Sequence, residues 1–431
     1  MNRGAPTLIL VLLAAIGAVF FLAGFLDIVV LMGHHIPQKD MATDYLIGAC
    51  WALFLGLSIL VWPVTAKDKK PLMLAWAAKC VVALGFMLIY ENHYPTDAFA
   101  YYESGKSEFF TWEMFKIGDG TQNIERLTFL YSRVFPDSYH MMKISFAMIG
   151  FIALYLIYRA GVLFTQKEDN RIFYVMMLFP SHIFWSSIIG KDPVILLGIA
   201  LYVYGVAGWY RTDKYRYLAL IALGIFETSF IRVWIATILI APLSIFFLAR
   251  IRGVLSRFVF IGLVLFGFGW AHQRFKQRFN IETNEDLVTA ADVTSQSWAY
   301  GGSAQLREGS FDSFRDLMLF LPVGATSALL RPLPGEVLNL FGLLAGIENL
   351  TFVIILAFAA FRTRWQDLLD PMVLWAIALV FFWATTYSFA SYQNLGTAAR
   401  FKLQIMPVFL GLVMYLSRRR AAAARLPAVR G

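Results

Sequence analysis

Apolar stretches long enough to cross a bilayer recur along almost the whole chain. Crossing roughly 30 Å of hydrocarbon takes about 20 helical residues. Runs of that kind fall near 6–32, 45–65, 72–91, 139–163, 172–189, 193–209, 216–231, 233–250, 255–272, 336–361, 371–389 and 402–417. Lipid offers backbone amides no hydrogen bonds, so such runs must satisfy themselves as helices. The 431 residues are 59% hydrophobic with a mean hydropathy of +0.63, whereas a soluble domain is about half apolar. The expected fold class is therefore all-α, a polytopic transmembrane helix bundle of about twelve spans.

Charge sets the orientation. With a cytoplasmic N-terminus, alternate connections should be basic, and "AKDKKP" at 66–71, "RAGVLFTQKEDNR" at 159–171, "YRTDKYRY" at 210–217, "ARIRG" at 249–253, "FRTRW" at 361–365 and "SRRRAAAAR" at 417–425 all fall on that side. An even span count places both termini in the cytoplasm, so residues 1–417 read as one polytopic domain and 418–431 as a basic cytoplasmic tail. The net charge of +9 is then the cytoplasmic excess of an integral membrane protein, and nucleic acid is not implied as a partner. Cys50 and Cys80 both lie in expected spans, which argues against a disulfide framework or a cysteine zinc site. The first apolar run is too long for a signal-peptide core and lacks a clear cleavage site, so it is expected to stay as an anchor.

Two long connections, 92–138 and 273–335, map to the outer face. Loops of that length are usually functional or disordered. The first is dense in aromatics, which a solvated linker would lack; the second ends in "DLMLFLPVGATSALLRPLPGE", expected to lie in the interface or re-enter the membrane. The outer face thus has material for a site.

Ionisable residues collect at the same depth. "SSIIGKDPVILLG" sets Lys191 and Asp192 at a turn with almost no polar padding. Its local reading is a capped hairpin, with Asp192 as N-cap and Pro193 as first helical residue. Its functional reading is an anion site, an ammonium beside a positive helix end. "GIFETSFIRVWIA" holds Glu227 and Arg232, and "YQNLGTAARFKLQIMP" holds Arg400 and Lys402. Each could snorkel or sit in a structural ion pair, but ionisable groups at this depth are costly and often functional. Lys79 is expected to snorkel to the cytoplasm, and Glu348 to pack against one of the cations. In "YPTDAFAYYESG", Asp97 precedes Tyr101 and Tyr102 by one helical turn, with Glu103 beyond. A carboxylate flanked by rings suits a sugar site; a tyrosine belt with Asp97 as helix cap suits the same residues. His34, His35 and Asp40 have no recognised metal-ligand spacing, and no metal site is assigned.

Taken together, "TDAFAYYESG", "FPSHIFWSSIIGKDPVILLGIALYVYG", "FIRVWIA", "LLRPLPGE", "GIENL" and "NLGTAARFKLQIMP" resemble polytopic bacterial polysaccharide-biosynthesis membrane proteins similar to GT-C glycosyltransferases and Wzy- or EpsG-type polymerases. The resemblance implies Asp97 as catalytic base or metal ligand, with Glu103 as substitute. Asp97 follows the third expected span, so the match also requires an added N-terminal hairpin. The resemblance further implies that Lys191, Arg232, Arg331 and Arg400 hold the diphosphate of a polyprenyl-linked donor. From the residues themselves, Lys191, Arg232 and Arg400 are expected to line one anionic pocket and Lys402 to bind substrate, with Asp192 orienting Lys191 and Tyr101 and Tyr102 against the sugar.

The resulting expectation is a glycosyltransferase or polysaccharide polymerase of the bacterial inner membrane, acting at the outer surface. Its partners would be a polyprenyl-linked saccharide, membrane lipid and other polysaccharide-assembly proteins. The rival is a transporter or flippase of the same lipid-linked saccharides. The sequence leaves open the sugar, the acceptor and whether a divalent cation is used.

Overall fold

The computed structural model describes residues 21–94, 96–107, 115–250, 253–279, 282–297, 299, 303–304 and 311–418. The first expected span is described only from Phe21, and 419–431 of the tail lie outside the described residues. Among the described residues there is no strand; a lone bridge joins Ala304 and Asn394.

Helix α1 covers Phe21–Met32. It is followed by α2 (Met41–Ser58), α3 (Ala66–Val81), α4 (Met87–His93), α5 (Asp97–Ser104), α6 (Gly120–Val134), α7 (Tyr139–Thr165), α8 (Asn170–Leu178), α9 (Pro180–Trp185) and α10 (Lys191–Thr212). Then come α11 (Arg216–Ile231), α12 (Val233–Arg250), α13 (Val254–Phe279), α14 (Asn284–Ser297), α15 (Phe314–Leu330), α16 (Leu340–Arg362), α17 (Trp365–Leu368), α18 (Pro371–Gln393), α19 (Leu395–Phe401) and α20 (Met406–Ser417). Local chemistry starts many of them. Asp40, Asp119, Asp169, Ser313, Asn339, Asp370 and Asn394 each accept a backbone amide at a helix N-terminus, the role short oxygen-bearing side chains fill best. Pro371 follows Asp370 at the first helical position, where its missing N–H costs nothing.

Six helical segments are long and apolar enough to cross a membrane: 41–61, 66–93, 139–165, 191–212, 340–362 and 371–389. A seventh candidate is the pair Leu395–Gln404 and Met406–Ser417, bent by 70° at its break. Several expected spans take other forms. The 172–189 run is interrupted at Phe179 into α8 and α9, because Pro180 disfavours helix in the residue before it. The 216–250 run gives α11, 16 residues long, and α12, whose apolar helix covers Val233–Ser244. The long connections are largely helical: 92–138 contains α5 and α6, and 273–335 contains α14, α15 and the end of α13.

The described residues form two compact units, one drawn from 1–152 and 183–194, the other from 153–182 and 195–431. In the first, α2 and α3 pack as a hairpin closed by Trp76, whose indole donates to Ala52 O at 2.9 Å and meets the Phe151 ring edge-on. Gly48 brings α2 onto α7; a Cβ there would collide with the His140 side chain. In the second, α15 lies along α18, α12 contacts α11, α13 and α18, and α16 packs on α20. Large apolar residues point outward, among them Leu53 and Phe54 on α2, Leu255, Phe258 and Phe266 on α13 and Ile354 and Phe358 on α16. Contiguous exposed apolar faces of this kind suit lipid contact.

Candidate functional site

In the first unit two helix N-termini, those of α5 and α10, bear sequence-selected residues. Asp97 is the first residue of α5 and is exposed. One turn later Tyr101 is buried, and the Lys191 ammonium sits over its ring, 5.9 Å from the centroid. Lys191 opens α10 and donates to Thr121 Oγ1 at 2.7 Å, in the first turn of α6. The ammonium therefore lies where the positive ends of two helices meet an aromatic face, and Asp97 begins the helical turn that Tyr101 completes. Asp192 is buried inside the first turn of α10 instead of capping it, since the helix starts at Lys191, two residues before the expected first helical residue Pro193.

The tyrosine pair does not present the stacking surface expected of it. Tyr101 and Tyr102 are 2% and 1% exposed. The Tyr102 hydroxyl donates to Asp137 and accepts from Gln38, and Lys106 covers its ring at 4.3 Å while pairing with Asp137 at 3.2 Å. Burial, then the hydrogen bond to Asp137, raises the Tyr102 phenol well above its usual range. Glu103 is exposed on α5.

Beneath this surface lies a polar layer that the sequence reading missed. His140 Nδ1 is 2.5 Å from Asp44 Oδ2. Glu91 accepts from Tyr139 Oη at 2.6 Å through one oxygen and from Lys143 Nζ at 2.8 Å through the other. Asp44 lies in the first turn of α2, Glu91 in the last turns of α4, and Tyr139, His140 and Lys143 at the start of α7. Lys79 also departs from expectation. It does not snorkel to the cytoplasm; its ammonium is buried and donates to Ser186 Oγ at 2.5 Å, in the segment leading to Lys191. A hydroxyl partner in reach within the protein replaces the route to water.

The second unit holds Arg232, Arg331, Arg400 and Lys402. Arg232 follows α11, is 9% exposed, donates to Tyr387 Oη at 3.1 Å and lies 4.2 Å from the Phe401 ring centroid. The Trp234 indole donates to the same phenol at 3.1 Å. Lys402 is buried at the break between α19 and α20, donating to Asn349 Oδ1 at 2.6 Å and to Arg331 O at 2.9 Å. Glu348 is the carboxylate that attracts it, as expected of a packing partner, and also accepts from Ser181 N at 2.8 Å. Arg331 pairs with Glu336 at 2.7 Å. Arg232, Arg331 and Lys402 thus gather around the α18 to α20 connection, with Arg400 on α19 itself. Lys402 and Arg331 have acceptors supplied by the protein, so they serve first to hold this connection. Arg232 has only a phenol as hydrogen-bond acceptor and no carboxylate among the described residues.

The His34 and His35 rings lie 3.7 Å apart, tilted by 44°, while Asp40 caps α2. Among the described residues no three His, Cys, Asp or Glu side chains come together as a metal site. Comparison of the chain with protein-family models, curated proteins and solved structures yields no match.

Proposed function

We propose that this chain is a membrane glycosyltransferase or polysaccharide polymerase that uses a polyprenyl-phosphate or polyprenyl-diphosphate sugar at the outer surface of the bacterial inner membrane. The observation that carries the reading is Lys191, fixed on Thr121 and over the Tyr101 ring of α5, the helix that the exposed Asp97 opens. Glycosyl transfer from a lipid phosphate needs a cation where charge develops on the leaving group and a base for the acceptor hydroxyl. Lys191 supplies the first and Asp97 the second, with Glu103 on the same helix as substitute. The protein traverses the membrane about twelve times with both termini cytoplasmic, and partners from polysaccharide assembly would hand on its product.

Reconstitution tests it. Wild type and Asp97→Asn are placed in liposomes with a lipid-linked sugar and an acceptor, and glycosidic-bond formation and translocation are followed separately. Removing a general base should lower bond formation by roughly 10²- to 10⁴-fold while donor binding survives. Unchanged bond formation in Asp97→Asn would remove Asp97 as base.

One observation favours the transporter or flippase reading. The 70° break between Gln404 and Met406, with Lys402 buried beside it, is the kind of interrupted helix that transporters place at their substrate sites. Translocation by wild type in the absence of any bond formation would select that reading.

A further inference from the structure

Glu227 stands apart from the residues assigned above. It lies on α11 among Ala222, Leu223 and Phe226, whose side chains are exposed on an apolar face. Its head turns the other way. Both carboxyl oxygens are out of contact with solvent, and among the described residues no side chain donates to either; the one polar group they approach is the Gly198 backbone. The space they occupy is left by Gly198 on α10: a Cβ there would collide with Glu227 Oε2.

The rest of the α10–α11 contact explains how that space arises. Gly224 packs on Gly198 O and on the Tyr202 backbone, Gly205 on Ile221, and Gly208 on the Tyr217 ring. Small residues recurring along one face let two helices approach closely. At Gly198 alone the gap is filled by an acid.

Among the described residues, the groups that this carboxyl faces are neutral. From α10 come Gly198 and Tyr202, whose hydroxyl donates to Leu239 O of α12. At the other end of the pair, Tyr204 meets the Tyr217 ring and interacts with Arg216 and Arg159, and Arg216 donates to the Tyr217 hydroxyl. Arg232 follows α11, but its guanidinium is directed to Tyr387, Phe401 and Trp234. Among the described residues no ionised side chain bears on Glu227. An ionised carboxylate with no counter-ion and no side-chain donor is prohibitively costly in such a place, whereas the neutral acid is tolerable.

We propose that Glu227 is an intramembrane proton-binding site, its protonated carboxyl seated in the cradle left by Gly198, and that the proton exchanges with the medium when α10 and α11 part. The site is independent of the glycosyl-transfer reading.

The test uses the full-length protein in nanodiscs with a lipophilic carbodiimide, which reaches acids from the lipid side and couples to the protonated form. Adducts are mapped by mass spectrometry across a pH series. In wild type, Glu227 should be labelled, and labelling should fall about tenfold per pH unit once its proton is lost. Glu227→Gln should abolish that adduct. Gly198→Ala, which fills the cradle, should move the midpoint by about one pH unit or more, the scale of a tenfold change in proton affinity. Absence of a Glu227 adduct, labelling independent of pH, or an unmoved midpoint in Gly198→Ala would overturn the proposal. Should Gly198→Ala fail to fold, infrared difference spectra of wild type against Glu227→Gln decide. A protonated carboxyl C=O band lost in the variant supports the site, and identical spectra overturn it.

Discussion

The Lys143 ammonium lies 2.8 Å from Glu91 Oε2 with neither side chain exposed beyond 1%. Tyr139 occupies the other Glu91 oxygen, so the carboxylate is satisfied on both sides and ties the end of α4 to the start of α7. Ionised groups taken out of water need partners of this quality.

Removing one partner should be worse than removing both. Lys143→Met leaves the buried Glu91 carboxyl without its cation and with only a phenol, and the expected loss of stability is about 3–5 kcal/mol. Adding Glu91→Gln should recover most of it, because the uncompensated charge is gone. Unfolding in mixed micelles measures the cycle; a Lys143→Met protein as stable as wild type would show that the pair does not fasten the two helices.

The same pair shows where the sequence becomes opaque. Caps such as Asp370 with Pro371 are legible because donor and acceptor are two residues apart, and apolar length alone marks α2, α7, α10, α16 and α18 as helices. Glu91 and Lys143 are 52 residues apart and each stands at the end of an apolar run, where a charge is unremarkable. Only the signal of His140 and Lys143 at i and i+3 in the opening turns of α7 could have drawn attention to that face. Tyr101 and Tyr102 failed in the opposite direction: a Tyr pair beside an acid looks like a sugar platform, but which way a helix turns its rings depends on what covers it. Lys402 was legible as an oddity and its partner Glu348 as a companion, whereas the Asn349 contact required the fold.

Membrane sidedness is open to direct measurement. In a Cys50→Ser, Cys80→Ser background, an impermeant thiol reagent applied to intact spheroplasts should label Ser104→Cys on α5 and Glu285→Cys on α14, both outside the segments that cross. Lys214→Cys, exposed between α10 and α11, should label only after the membrane is opened. Labelling at 214 in intact cells together with silence at 104 and 285 would invert the orientation and put Lys191 and Asp97 in the cytoplasm.

Acid should loosen the start of α2. Hydrogen bonds from the Thr43 side chain and backbone hold the Asp40 carboxyl below the usual range. A lowered folded value means that the cap stabilises at every pH above the unfolded carboxylate value and is lost as pH falls through the lower folded one. Hydrogen exchange of the first-turn amides of α2 should therefore quicken on acidification in wild type, beyond the intrinsic pH effect. Asp40→Asn should remove that excess while keeping a cap. Equal behaviour of the two proteins would exclude an ionised cap.

Arg232 offers the sharpest test of anion recognition in the second unit. Its guanidinium is nearly enclosed, stacked on Phe401, and bonded to a phenol that already receives the Trp234 indole. A buried cation with donors to spare and no carboxylate partner among the described residues is suited to an oxyanion brought by a ligand. Arg232→Gln keeps a donor for Tyr387 but removes the charge. Loss of one charge-assisted contact, worth about 1.5–3 kcal/mol, should weaken binding of a lipid diphosphate roughly ten- to hundredfold. Binding of the corresponding neutral polyprenol should not change. Arg232→Lys should recover part of the affinity, since an ammonium keeps the charge but not the planar fork. Fluorescence titration of the purified variants with both lipids separates the outcomes: an equal loss for the neutral and charged lipids would assign Arg232 to packing around Tyr387 and not to the phosphate.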